Sequence, residues 1–251
     1  MKAKFTNFLK EAWRPTLLIA VVCLVIYLLS LIAGDSTYFV FWGDATNSAA
    51  ATTPFAFIRD TTNFNWTFIL IFAVVIYVYA SELKNKNYRG IVAGLSLYSV
   101  HWLYEIANAI IGKASGAALW TVAQDSTSFI LLIGVSWELS MMFALAGVIM
   151  SKLLPEDAKK KILGINNRWL FAIGNAAFFA IFEIFLAGTP AFIWVYPWWG
   201  AIPVFITTYI PFFLAAFLVP DTKPKTQRIF LMTTWGLVVI LLAVLIPAGI
   251  I

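Results

Sequence analysis

The sequence predicts an all-α polytopic membrane bundle of seven transmembrane helices, with the N-terminus cytoplasmic and the C-terminus outside. Composition, the spacing of apolar runs and the distribution of basic residues carry this reading. Of the 251 residues, 62% are hydrophobic and 12% charged, against roughly a quarter charged in an ordinary soluble domain. A run of about twenty apolar residues crosses a hydrocarbon core of roughly 30 Å. Seven such runs fall at about 15–33, 65–81, 90–112, 127–151, 169–188, 201–219 and 229–250. Together they make a single integral membrane domain over residues 1–251, a multi-pass protein of the membrane.

The first run follows a basic lead-in, Met1 to Arg14. This resembles the start of a signal peptide, but no cleavage site follows and the run is long enough to span, so it is read as helix one with an amphipathic interfacial approach. Its Cys23 is the one cysteine of the chain. No intrachain disulfide or cysteine metal cluster follows from it, and a buried thiol of this kind packs like a small apolar side chain. Between the first two runs lies a long outer segment, Gly34 to Asn63, carrying Asp35, Asp44, Arg59 and Asp60 among Phe39, Phe41, Trp42, Phe55 and Phe57. Such a mixture is expected to fold back over the outer face.

Charge sets the orientation. The segments before run one and between runs two and three, four and five, and six and seven hold 15 of the 17 Lys and Arg, leaving Arg59 and Lys113 opposite. By the positive-inside rule those four segments are cytoplasmic. The net charge of +5 is then mainly a topological signal with some attraction to anionic headgroups. Basic residues scattered over four short loops give no nucleic-acid surface.

Runs three, four and five each contain a glutamate: Glu105, Glu138 and Glu183. At 1.5 Å per residue they lie roughly 22, 20 and 21 Å from the cytoplasmic ends of their helices. One acidic layer in the outer half of the bilayer is therefore expected, and an intramembrane acid is a functional-site candidate. On run three, His101, Glu105 and Asn108 are spaced i, i+4 and i+7 and share a face, so His101 can reach Glu105. Ser136 and Ser140 flank Trp137-Glu138 on run four, and Asn175 lies two turns below Glu183 on run five.

The stretch from Gly188 to Gly200 contains Trp194, Trp198, Trp199 and Tyr196 with Pro190 and Pro197. It is too broken by proline for a regular helix and reads as an interfacial aromatic belt or as a lid over a cavity. Pro203 and Pro211 in run six and Pro247 in run seven free backbone carbonyls and kink their helices.

Carboxyls buried together share protons as a coupled unit, which places an acid beside a base in a dry site. Protonation of an olefin, double-bond migration and proton relay need that combination. Glu105, Glu138, Glu183 and His101 are the candidate catalytic groups, with Asn108, Trp102, Trp137, Asn175 and Trp194 as substrate-binding residues whose aromatic members could hold a carbocation. The set His101-Trp-Leu-Tyr-Glu105 with Glu138 on the next span resembles the emopamil-binding-protein family of membrane sterol isomerases and the related membrane-bound terpene cyclases. The resemblance implies an acid role for Glu105 or Glu138, a relay role for His101, and an isomerase or cyclase acting on an isoprenoid or sterol-like lipid without a cofactor.

Three other readings stand beside this one. His101, Glu105, Glu138 and Glu183 could ligate iron, manganese or zinc, as in a metal-binding protein or redox subunit. The acids could form a proton or cation path. They could also join helices or a membrane partner subunit through hydrogen bonds. One histidine excludes bis-histidine haem, and run seven has no lysine for a retinal Schiff base. Expected partners are membrane lipid, a hydrophobic small molecule and other membrane subunits.

Overall fold

A computed structural model describes residues 2–33, 38–44, 56–62, 64–123 and 127–251, with side chains from residue 12 onward. Asp35, Phe55 and Asn63 of the long outer segment lie outside the described residues. Helices account for most of the rest: α1 (Lys2–Ala33), α2 (Phe68–Lys84), α3 (Tyr88–Ser115), α4 (Trp137–Ser151) and α5 (Asn167–Ala187). Next, α6 (Ala201–Val204) passes through a π-helical turn, Phe205–Tyr209, into α7 (Ile210–Leu218), and α8 is Pro224–Leu245.

Four stretches are long and apolar enough to cross a membrane: Ala12–Ala33, Asn167–Ala187, Ala201–Asp221 and Pro224–Leu245. Helix α4 is apolar but shorter. Its extent corrects the fourth run, which the sequence assigns to a helix from 127. The first part of that run instead folds as a tight hairpin, β2 (Ile130–Leu132) against β3 (Val135–Ser136). Ser136 then caps α4 by accepting a hydrogen bond from Leu139 N–H, leaving a helix of 15 residues.

The remaining strands are also short. β1 (Trp120–Val122) pairs antiparallel with β6 (Phe192–Trp194), and β4 (Lys161–Ile162) with β5 (Ile165–Asn166) around the positive-φ pair Leu163-Gly164. The aromatic outer stretch is thus part strand, consistent with its prolines. Phe41 and Trp42 run along Phe41 O···H–N Ala201 and a bridge to Gly200, while Val40 N–H donates to Ile184 O. The described part of the long outer segment does fold back over this end of the bundle.

At the centre, α3 packs against α4, α7 and α8, and α5 packs against α7 and the π turn. Helices α4 and α5 meet through the rings of Phe143 and Phe179, 6.2 Å apart, and both lean on α7. Phe179, Phe205, Phe212, Phe213 and Phe217 fill the core between α5 and α7. Helices α1 and α8 are almost entirely uncovered along their apolar windows, as suits surfaces facing lipid.

Candidate functional site

Helix α3 brings the first polar pair inward. His101 and Glu105, one turn apart, are 1% and 5% exposed. His101 Nε2 stands 3.3 Å from Glu105 Oε1, but off line, so neither ring nitrogen completes a hydrogen bond. The imidazole is held by ring contacts instead: it stacks on Phe143 at 4.2 Å and meets Phe212 edge-on at 5.9 Å. The other carboxylate oxygen, Glu105 Oε2, accepts from Trp120 Nε1–H at 3.3 Å.

Trp120 is placed by Asn108. Its amide oxygen accepts from Leu119 N–H at 2.8 Å and its amide nitrogen donates to Trp120 O at 2.9 Å. Asn108 therefore fastens β1 to α3, and it is not among the residues that line the cavity. Gly134, in the β2–β3 turn, lies against this clamp. A Cβ there would overlap Asn108 Nδ2 and Trp120 Nε1 and sit 2.7 Å from Glu105 Oε2.

The opposite wall comes from the proline-broken span. Pro211 has no N–H for the carbonyl of Thr207, and Tyr104 Oη–H donates to that oxygen at 2.6 Å. Pro203 stands in the first turn of α6, where a backbone N–H would have no intrahelical partner, and Trp199 O, just before that helix, accepts from Gly43 N–H at 2.9 Å. Between the two prolines the helix widens into its π turn, a feature frequent at functional sites. Thr208 and Tyr209 are thereby buried at the cavity, with Thr208 Oγ1 unpartnered.

Glu183 enters from α5, 8% exposed. The side chains of Tyr209 and Trp194 lie beside its carboxyl, and Glu105 is within electrostatic range. Neither Glu183 Oε2 nor Trp194 Nε1 forms a hydrogen bond. These groups surround a cavity of about 40 Å³, room for roughly three water-sized groups at 10–15 Å³ each. Phe143, Phe179, Phe192 and Phe212 supply its apolar walls. Leu139 and Met142 of α4 and Phe182 and Leu186 of α5 complete the lining. Phe182 is half exposed at the bundle surface.

The cavity therefore unites His101, Glu105 and Glu183 and leaves Glu138 out. Glu138 is half-buried in the first turn of α4, and its Oε1 accepts from Ser128 N–H at 2.7 Å. The cavity face of α4 is Leu139, Met142 and Phe143, and Glu138 is one residue, about 100°, off that face.

Residues 45–247 match the model of an uncharacterized membrane protein family. The chain belongs to this family. The matched stretch includes every residue of the cavity. An uncharacterized protein of Archaeoglobus fulgidus is 44% identical over 176 residues, covering 68% of this chain and 83% of the relative. No solved structure matches. With its apolar spans, this member of the family is a multi-pass integral membrane protein.

The other expected binding residues of this family member also lie off the cavity. Trp102 points from the next face of α3 into a second cluster that includes Trp235. Trp137 stacks on Phe68 at 5.4 Å. Asn175 donates to Phe171 O one turn back, and Trp194 stands behind Glu183 rather than on the lining. Among the described residues no three His, Cys, Asp or Glu side chains converge closely enough to hold a metal ion. The iron, manganese or zinc set of His101, Glu105, Glu138 and Glu183 is accordingly not assembled.

Sequence reasoning missed Trp120, Thr208 and Tyr209. The pair Pro203 and Pro211 flagged the irregular turn that carries two of them. Nothing local to Trp120 marks it, because the Asn108 clamp that positions it joins separate elements.

Proposed function

We propose that the chain spans the membrane seven times, N-terminus cytoplasmic and C-terminus outside, and that the cavity transfers protons to and from carbon in a lipid-soluble, isoprenoid-like substrate. The observation that carries the reading is the convergence of His101, Glu105 and Glu183 on an aromatic-walled cavity that α4 and α5 both line. Helices α2, α3 and α4 complete the seven spans with the four longer ones. The strong basic bias of alternate loops supports the orientation.

The roles follow from the partners. Glu105 is met by the Trp120 N–H and by His101, which suits a group that accepts a proton. Glu183 is the donor: it lines the cavity, and its Oε2 completes no hydrogen bond although Tyr209 and Trp194 lie beside the carboxyl. A proton delivered by Glu183 to one carbon of a C=C bond forms the new C–H bond, and the π electrons leave a carbocation at the other carbon. Phe143, Phe179 and Phe212 present ring faces or edges around that position. Loss of a proton from an adjacent carbon to the His101–Glu105 pair forms the shifted double bond, so one proton enters and one leaves. The chamber accepts a thin chain end rather than a fused ring system.

The test uses full-length protein in lipid nanodiscs in D2O with squalene and geranylgeraniol as probes, read by mass spectrometry. Deuterium incorporation is expected with wild type. Loss of the acid in Glu183→Gln should lower the rate by a factor of roughly 10²–10⁴, the range for a general acid. No deuterium above a heat-denatured control, or undiminished incorporation in Glu183→Gln, overturns the reading.

Proton or cation passage draws support only from the cavity's water-sized volume. Below Glu183 on α5 the next polar side chain, Asn175, is committed to Phe171 O, and the cavity lining does not extend to it.

A further inference from the structure

The acidic cavity is enclosed unevenly. Much of its wall is fixed by hydrogen bonds: Asn108 ties β1 to α3, β1 pairs with β6, and Tyr104 Oη–H holds Thr207 O of the π turn. Every residue that lines it from α3, the short strands and their turns, α6, the π turn or α7 is buried. Among the described residues, the lining reaches the surface of the bundle only on α4 and α5, at Leu139, Met142, Phe182 and Leu186. Phe182 is the most exposed of these, at 50%, and the other three are half-buried.

Phe182 thus belongs to two surfaces. It lines the cavity, and it stands with Phe178 and Ile181, one turn back and also exposed, on the outward face of α5. That helix is long and apolar enough to cross a membrane, so its outward face meets hydrocarbon. The rings of Phe143 and Phe179 hold α4 and α5 together at 6.2 Å. Beyond that pair the four side chains that reach the surface are leucine, methionine, phenylalanine and leucine. None carries a hydrogen-bond donor, so parting them breaks no hydrogen bond between side chains and costs only dispersion contacts. Methionine, unbranched and freely rotating, adapts readily to such a change. Opening any other wall would break hydrogen bonds of the kind that fix β1 and the π turn.

We infer that the occupant of the cavity enters from the hydrocarbon between α4 and α5, past Phe182, and that the Phe182 ring sets the width of molecule admitted. The inference rests on the proposed reading that the occupant is lipid-soluble, but not on the proton chemistry assigned to the cavity. Photolabelling of the full chain in lipid nanodiscs tests it, with hexadecanol carrying an alkyl diazirine beside its hydroxyl as the probe and mass spectrometry locating the label. Wild type should carry label on cavity residues, Glu105 and Glu183 among them, as well as on the outward face of α5. Phe182→Trp should lower the ratio of cavity to surface label and Phe182→Ala should raise it, each by a factor of several. Phe178→Trp and Phe178→Ala, at a comparably exposed position that is not in the lining, should leave the ratio unchanged. Both positions lie at the surface, where substitutions are well tolerated. Cavity label absent from wild type, a ratio indifferent to both Phe182 substitutions, or an equal shift in the Phe178 variants overturns the inference. Equal cavity labelling by a charged, membrane-impermeant diazirine overturns it too, because entry would then be from water. Deuterium incorporation is a separate readout: its failure with this labelling pattern intact would overturn the proton chemistry and leave the route standing.

Discussion

Replacing Gly134 by alanine tests how closely the acidic cavity is held together. The new Cβ would overlap Asn108 Nδ2 and Trp120 Nε1 and lie 2.7 Å from Glu105 Oε2, about 0.7 Å inside the 3.4 Å at which ordinary contact begins. Each neighbour is committed: Asn108 bonds to the backbone of β1, and Trp120 to Glu105. None can yield without loss of a buried hydrogen bond. Overpacking of this kind costs roughly 1–3 kcal/mol. Gly134 is not in the left-handed region, so alanine also removes unfolded-state freedom and returns about 0.4–1 kcal/mol. The steric term wins, and at about 2–4 °C per kcal/mol for a chain of this size the melting temperature should fall by several degrees. Gly174, on exposed α5 with nothing within 4 Å of an added Cβ, is the control. Gly174→Ala should be stabilising by up to about 1 kcal/mol through helix propensity. Thermal unfolding of both variants in one detergent decides the matter. A Gly134→Ala variant as stable as Gly174→Ala would show that the clamp has slack, and the precise placement of Glu105 would fall with it.

Two further substitutions separate the cavity from its supports. Glu138→Gln keeps an acceptor oxygen for Ser128 N–H, so it should change stability by less than about 1 kcal/mol and leave deuterium incorporation in the nanodisc assay intact. Abolished incorporation would restore Glu138 to the site. Tyr104→Phe removes the donor to Thr207 O and should destabilise by roughly 0.5–1.5 kcal/mol, the net worth of an intramolecular hydrogen bond. That penalty should shrink in a Pro211→Ala background, where residue 211 regains an N–H. Equal losses in the two backgrounds, measured by thermal unfolding, would refute the account of how the π turn is held.

What the sequence made legible depended on whether a signal lay within one element. The i, i+4 spacing of His101 and Glu105 is intrahelical, and the structure keeps the pair together. Depth alone brought Glu183 to the same level, because α5 is a regular helix of 21 residues. Depth says nothing of azimuth, and Glu138 failed on that ground: it has the right height and the wrong face. The boundary of α4 failed for a different reason. Residues 129–135, Phe-Ile-Leu-Leu-Ile-Gly-Val, are a continuous apolar run, which periodicity cannot separate into buried strand or helix. Only Gly134 hinted at the turn. The partners of Glu105 and Glu183 were out of reach because β1 meets β6 across about 70 residues of chain.

The orphaned polar atoms say something about what occupies the cavity. The carbonyl that Pro211 releases, Thr207 O, is met by Tyr104, while away from the cavity the Ser96 and Ser128 hydroxyls and Arg168 Nη2 complete no hydrogen bond among the described residues. At the cavity, His101 Nδ1, Glu183 Oε2 and Thr208 Oγ1 complete no hydrogen bond among the described residues. Left dry, each such group would cost roughly 1–3 kcal/mol, a large share of a net stability of about 5–15 kcal/mol. An occupant made only of hydrocarbon would leave that cost in place after expelling water. On the proposed reading, the chamber suits a chain end that carries oxygen, or an alkene that enters with water beside Thr208. Among the two probes this ranks geranylgeraniol, whose hydroxyl can meet Thr208 or His101, ahead of squalene, and it places the reacting double bond next to the polar end of the lipid rather than in mid-chain.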